Sequence, residues 1–244
     1  MESLAVPDGA PAGGVVVVIP TFNEAESIAA VVAEIPRDVV GRVIVADGGS
    51  RDGTGEIAHH AGAEVIAVGR GCGLACLKGA QAAPAGEIIV FMDGDGADDP
   101  AAIAGMVAAI RSGNCDFVIG SRARGEREPG SMASYQLLAG RVAGALIGLL
   151  YGVRYTDMCA FRAIRRDTLL ALGMRELTYG WNLEMQMRVA RAGLRVLEVP
   201  VAYRRRFGGE SKVAGSLHGS IRAGVKIIST FARVAMEPAH GRVS

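Results

Sequence analysis

Short β-branched runs that open onto loops of Asp, Gly and Ser recur through the first half of this chain. That alternation constrains its fold more than any other feature. Residues 14–20 (GVVVVIP) form such a run and stop at proline, as a buried parallel strand does. Residues 23–35 follow with apolar side chains at helical spacing (Ile28, Val31, Val32, Ile35), and Pro36 ends them. Strands over 42–46, 64–68, 87–92 and 116–120 alternate with helices over 55–61, 74–83 and 100–112. The pattern predicts an α/β fold, a doubly wound, mostly parallel sheet flanked by helices. Ligands of such sheets lie beyond the strand carboxyl ends, where the polar residues cluster here.

After residue 121 the alternation loosens. Residues 181–192 read as a helix and 198–203 (EVPVAY) as a strand. Leu217–Met236 sets Leu217, Ile221, Val225, Ile228, Phe231 and Val234 against Arg222, Lys226 and Arg233. This is a basic amphipathic helix, suited equally to a membrane surface and to the domain's own core. The most apolar stretch, residues 137–153, is broken by Arg141, and no uncharged apolar run reaches about 18 residues, so a conventional membrane span is not expected. That stretch reads as a helix lying in an interface or packed on the core. Residues 1–13 lack a basic-then-apolar signal pattern and read as a flexible tail.

The 244 residues suffice for one α/β domain with a substantial core. A formal net charge of +1 conceals an asymmetry: residues 1–121 hold six Lys/Arg against 16 Asp/Glu, and residues 122–244 hold 20 against nine. The first half is suited to a cation, the second to phosphates or an anionic membrane. Basic residues are not interleaved with aromatics, so no nucleic-acid partner is expected. Cys72, Cys76, Cys115 and Cys159 fall at no metal-ligand or disulfide-framework spacing and read as small buried thiols of a reducing compartment. His59 and His60 are adjacent on a helix, cannot face one point, and are set aside as surface.

Asp93-Gly-Asp95 directly follows the apolar strand IIVFM. Two carboxylates alternating at a strand end make a hard oxygen site with open positions, suited to Mg²⁺ or Mn²⁺ bridging diphosphate oxygens. Asp98 and Asp99 are near enough to be outer partners or alternate ligands. A calcium loop of the helix–loop–helix type fails, because its sixth position is Asp98 and its twelfth Ala104. Gly69, Gly71 and Gly73 do not make a dinucleotide fingerprint.

With Ile19-Pro-Thr-Phe-Asn-Glu24 and Asp47-Gly-Gly-Ser-Arg-Asp52-Gly-Thr54 preceding Asp93-Gly-Asp95, the chain resembles family 2 glycosyltransferases, which have a GT-A fold. The likeness spans roughly residues 14–215. Gly120-Ser-Arg122 and Gly209-Glu-Ser211-Lys212 are similar to the branch of the polyprenyl- and dolichol-phosphate mannose synthases. The resemblance implies a nucleotide-diphosphate sugar donor bound by Pro20, Thr21, Asn23, Glu24, Asp47, Asp52, Lys78, Asp93 and Gly94, with Asp47 on the base. It implies a metal on Asp93 and Asp95, and catalytic roles for Asp95, Arg122 and Glu184. Arg122, Arg206, Ser211 and Lys212 would gather the acceptor phosphate or donor diphosphate. Residues 14–121 become the nucleotide-sugar and metal half, 122–215 the acceptor half of the same domain, and 216–244 the basic helix and tail.

Two positions depart from the family pattern: Gly48 stands where a second Asp is usual, and Ala97 where a polar ligand often follows the acidic pair. In Tyr179-Gly-Trp181-Asn-Leu-Glu184, Trp181 is placed either to stack on a sugar or to pack in the core. A phosphate acceptor needs no strong base; for an alcohol acceptor, Glu184 or Asp157 is the base candidate. The expectation is an inverting, metal-dependent transfer of a sugar to a polyprenyl-phosphate-type lipid, on the cytoplasmic inner face of the cell membrane. The rivals are a non-phosphate lipid or small alcohol acceptor, a nucleotidyltransferase, and a catalytically silent sugar-nucleotide-binding scaffold. A nucleotidyltransferase would want a Gly/Arg/Lys-rich loop after the first strand, and Pro20-Thr-Phe-Asn23 supplies none.

Overall fold

The computed structural model describes residues 14–208 and 217–237, and only the backbone of residues 217–224. The tail expected over residues 1–13 lies outside these. The β-branched runs become β1 (Val15–Thr21), β2 (Arg42–Asp47), β3 (Glu64–Ala67), β4 (Ile88–Phe91) and β5 (Phe117–Ser121), joined by β6 (Arg162–Arg165) and β7 (Val196–Pro200). They form one sheet in the order β3-β2-β1-β4-β6-β5-β7. All neighbours pair in parallel except β6, which runs antiparallel between β4 and β5. The predicted doubly wound, mostly parallel sheet is therefore present with one reversed strand.

Helices α1 (Ile28–Glu34), α2 (Thr54–His60), α3 (Cys72–Ala82), α4 (Ile103–Arg111), α5 (Ser134–Tyr151), α6 (Arg166–Ala171), α7 (Trp181–Arg191) and α8 (Leu217–Met236) complete the domain. The first begins later than residue 23, because residues 23–27 form a turn in which Asn23 has φ 52° and the Glu24 carbonyl accepts from the Ser27 and Ile28 amides. Asparagine tolerates that left-handed backbone. The strand expected over 198–203 ends at Pro200. Beyond it Tyr203 bridges Asp98 and Arg127 instead of extending the sheet. Cys76, Cys115 and Cys159 are buried as expected, but Cys72 is exposed at the start of α3.

Strand order reverses between β1 and β4, because the chain moves outward through β2 and β3 and returns on the other side of β1. This switch leaves a crevice at the strand carboxyl ends, between Thr21 and Asp93. The α3 helix lies close enough over the sheet that a Cβ at Gly79 would collide with the Val18 side chain. Residues 137–153 resolve into the two-sided α5. Gly140, Ala143, Gly144 and Ile147 face inward while much of the rest is exposed. No helix among the described residues is long and apolar enough to cross a membrane.

Close backbone approach makes Gly144 a sensitive position, since a Cβ there would overlap the Tyr155 carbonyl. Gly144→Ala should lower unfolding free energy by roughly 1–3 kcal/mol, as overpacking does. Gly105 sits exposed in α4 with open space around it, so Gly105→Ala should stabilise by up to about 1 kcal/mol through helix propensity. Urea unfolding midpoints measure both.

Candidate active site

The crevice is framed by two motif loops that brace each other through the backbone. The Asn23 amide donates to Ser50 Oγ (2.9 Å), the Arg51 amide to Asn23 Oδ1 (3.0 Å), and the Glu24 amide to Thr54 Oγ1 (2.9 Å). Asp47, half-buried at the end of β2, accepts from the Ser50 amide (3.0 Å), from Thr21 Oγ1 (3.3 Å) and from the Ser50 hydroxyl. Asp52 accepts from the Ala25 amide (3.1 Å) and from the Thr54 amide and hydroxyl. Burial pushes the Asp52 carboxyl up, but these hydrogen bonds outweigh it and hold the group below its usual range. Asp52 is thus a brace between the two loops. Gly48 fits the same closeness: a Cβ there would lie 3.2 Å from the Thr21 carbonyl and 3.4 Å from that of Gly69.

Across the crevice, Gly94 is pressed against β1, where a Cβ would meet the Thr21 and Ile19 methyls at 3.1 and 3.3 Å. Its carbonyl accepts from Ser27 Oγ at 2.7 Å. This anchor fixes Asp93 and Asp95 on either side. Asp95 is almost fully buried, with one oxygen accepting from the Ala97 amide (3.0 Å) and the other 3.1 Å from Arg206 Nε. Buried Asp98 accepts from the Asp93 amide at 3.1 Å. Burial and the nearby Asp95 push the Asp93 carboxyl up to about 6. Burial, with Asp93 and Asp95 beside it, pushes Asp98 up to about 8. Three carboxylates crowded in low dielectric repel one another, and a cation relieves that repulsion.

The cation in contact with Asp95 is Arg206, carried by a strap that follows β7. The Arg204 amide donates to the Ala97 carbonyl (2.8 Å) and the Phe207 amide to that of Asp95 (2.9 Å). The Phe207 ring covers Gly96, which has room for no side chain. Arg204 is engaged elsewhere, 2.8 Å from both Glu34 and Asp99. Arg122 makes a bidentate pair with Asp157 (Nε to Oδ2 and Nη2 to Oδ1, both 2.8 Å) and lies 5.0 Å from the Tyr203 ring centroid. Its charge also lowers the carboxyls of Asp93 and Asp98, so Arg122 borders the acidic cluster. Lys78 is exposed on α3. Ser211 and Lys212 lie outside the described residues.

The structure corrects one reading of the sequence and decides another. Glu184 is fully buried and accepts from the Arg175 and Glu176 amides (2.9 and 2.6 Å), Arg188 Nε (2.9 Å) and Arg233 Nη1 (3.0 Å). A carboxylate holding four donors ties α7 to α8 and to the loop before α7; it is not placed as a base. Trp181 is buried edge-on to Phe91, ring centroids 6.2 Å apart, and packs in the core. The exposed aromatic of that segment is Tyr179. Asp157, the other base candidate, is buried, and hydrogen bonds from Arg122 overcome its burial and hold it in the ionised form.

Several contributors carried no sequence signal strong enough to single them out. Cys72, Cys76, Ala160 and Asn182 line a small cavity with Pro20, Phe91, Met92 and Asp93. Beneath it Arg162, wholly buried, donates to the carbonyls of Cys159, Ala160 and Asn182. The one hint was an arginine embedded in an apolar run. A cation on Asp93 and Asp95 fits this donor set: among the described residues no three or more His, Cys, Asp or Glu side chains close into a cage, so diphosphate oxygens or water would complete its shell.

Two outcomes follow from these partners. Because folding raises the Asp98 pKa from 3.8 to about 8, its stabilising contribution is complete below the lower value and lost as pH rises through the upper. Metal-free protein should therefore lose melting temperature between neutrality and about pH 8, and Asp98→Asn should flatten that slope. Glu184→Gln should cost about 1.5–3 kcal/mol in urea unfolding, the scale of a charged hydrogen bond.

The profile of "Glycosyl transferase family 2" matches residues 16–173. An uncharacterized glycosyltransferase of Mycobacterium tuberculosis is 37% identical over 214 residues, covering 86% of this chain and 94% of that protein. The undecaprenyl-phosphate mannosyltransferase of Micrococcus luteus is 34% identical, over 84% of this chain and 89% of its own. Among solved structures, glucosyl-3-phosphoglycerate synthase of Mycobacterium tuberculosis, in complex with Mn²⁺, UDP-glucose and phosphoglyceric acid, superposes with a TM-score of 0.71 at 21% identity. That match covers 98% of this chain and 88% of the synthase, and it identifies the sheet and its flanking helices as a GT-A fold. The ordered motifs, the crevice they frame and these likenesses agree: the chain belongs to glycosyl transferase family 2.

Proposed function

We propose that the protein moves a sugar from a nucleoside-diphosphate donor to an acceptor phosphate, with a polyprenyl phosphate as the acceptor class. The observation that carries the reading is electrostatic. Both carboxylates that the sequence offered as a base, Glu184 and Asp157, are buried and saturated with donors, while Arg122 and Arg206 border the acidic cluster. An acceptor that arrives already ionised needs the cations and not the base. The likeness to the undecaprenyl-phosphate mannosyltransferase supports a lipid carrier, and the location on the inner face of the cell membrane belongs to the same proposal.

Asp47, Asn23 and Glu24 would face the nucleoside, and Asp93 the ribose and diphosphate. Mg²⁺ or Mn²⁺ on Asp93 and Asp95 supplies charge neutralisation for the departing diphosphate. Arg206 contacts Asp95 across the crevice and is the residue able to hand its charge to a phosphate. The acceptor oxygen attacks the anomeric carbon from the face opposite the leaving group, the glycosidic bond to the diphosphate breaks, and configuration inverts in that single displacement.

The deciding assay incubates purified protein with UDP- and GDP-sugars, Mg²⁺ or Mn²⁺, and a short polyprenyl phosphate. Product should require both metal and lipid phosphate, and Asp95→Ala should reduce it on the order of a hundredfold or more, as loss of a transition-state electrostatic partner does. Transfer to a small alcohol with none to the lipid phosphate would replace the acceptor assignment. Donor binding with no transfer to any acceptor would favour the silent scaffold.

A further inference from the structure

An uncommitted apolar surface remains on the helix that follows the acceptor-side loop. Of the 13 large hydrophobic residues exposed among the described residues, six lie on α5: Tyr135, Leu138, Val142, Leu146, Leu149 and Leu150. At 100° per residue they fall within about 120° of the helix circumference, one stripe along its length. Leu149 is 82% exposed and Leu138 64%, values at which a leucine is packed against little else in the protein. The neighbouring arc, with Gly140, Ala143, Gly144 and Ile147, is buried. A contiguous exposed patch of this kind marks a binding surface rather than ordinary surface composition.

Charge identifies what covers it. Between Glu128 and Asp157 the chain holds no acidic residue and two arginines, Arg141 and Arg154, both exposed. A second copy docking through a two-fold axis would set this basic, acid-free surface against itself. An anionic lipid surface supplies both the apolar layer for the stripe and the counter-charge for the arginines. On the alternative helix, α8, the two described cations are committed inward: Lys226 lies 3.3 Å from Glu176 and Arg233 3.0 Å from Glu184. The segment leading into α5 is also tied to the crevice, since the Glu128 amide donates to the Tyr203 carbonyl (3.0 Å) and Arg205 Nε to that of Pro129 (2.7 Å). Those residues run directly into the strap that carries Arg206.

We propose that α5 is the membrane-docking element of this protein, laying its Tyr135–Leu149 stripe into the interface of an anionic bilayer beside the acceptor crevice. The inference deepens the lipid-acceptor reading and rests on it for its biological sense, but its test does not depend on catalysis.

Full-length protein is floated with vesicles of phosphatidylglycerol and phosphatidylcholine, and with vesicles of phosphatidylcholine alone. Wild type should rise with the anionic vesicles and be released by salt. The double variant Leu138→Glu, Leu149→Glu should reduce the floated fraction about tenfold, while melting temperature, donor binding and transfer to a detergent-dispersed short polyprenyl phosphate stay unchanged. Equal flotation of the double variant and wild type overturns the proposal. So does a wild type that stays unbound, or one that sediments as a dimer which the same substitutions dissociate. Loss of flotation with transfer retained supports it; flotation without any transfer supports it too and counts against the proposed function instead.

Discussion

Asp93, Asp95 and Asp98 are gathered at the end of one buried strand, where their mutual repulsion has to be balanced. Burial makes that repulsion strong: two of the three carboxyls are pushed well above the usual carboxylate range. The surroundings are arranged around this tension. Backbone amides of Asp93 and Ala97 orient the carboxyls and ease part of the charge, donating to Asp98 and Asp95. Arg206 and Arg122 supply positive charge from the other half of the chain. The separation of acidic first half and basic second half seen in the sequence thus becomes, in the fold, an apposition across the crevice.

That apposition explains why residues far apart in sequence share fine geometric constraints. Gly94 is crowded by the β1 side chains, and Gly96 has no room for a side chain under the Phe207 ring. The strap that brings Phe207 also brings Arg206, so the packing that closes the loop delivers the charge. Gly48 follows the same logic at the end of β2, where the Thr21 and Gly69 carbonyls have closed in on the position. A side chain expected there on family grounds would have to displace backbone, and Asp47 has instead drawn Ser50 and Thr21 into its own hydrogen bonds.

Local pattern carried the sheet and the acidic pair. The β-branched runs, the Pro stops and Asp93-Gly-Asp95 after IIVFM are signals set by neighbours in sequence, and β1, β2, β4 and the metal candidates emerged where they pointed. Leu217–Met236 emerged with the bounds its periodicity gave. β6 did not, because Arg162–Arg165 has an arginine at each end and no alternation; it is a strand through its pairing with β4 and β5. Glu184 was misjudged, and Trp181 left open, for a related reason. An acid and an aromatic at a helix start look the same whether they face solvent or core. What decides Glu184 is Arg233, 49 residues away, and what decides Trp181 is Phe91 on a strand beneath it.

Glu184 also shows how the second half of the chain holds one side of the crevice together. Its carboxylate fixes the Arg175 and Glu176 amides from within α7. Glu176 in turn accepts from Thr178 and from Thr230 of α8, with Lys226 beside it. The loop so held lies directly on the start of α3: the Leu74 amide donates to the Leu177 carbonyl (2.9 Å), and Gly71 and Gly73 leave no space for a Cβ against Leu177 and Glu176. Cys72, between those glycines, lines the cavity with Asp93. Each contact is short-range, yet in sequence they connect α8 to the crevice through α7, one loop and the first turn of α3. The amphipathic helix is therefore part of the scaffold that shapes this side of the crevice. Among the described residues, α5 carries six of the 13 exposed large hydrophobics and α8 three.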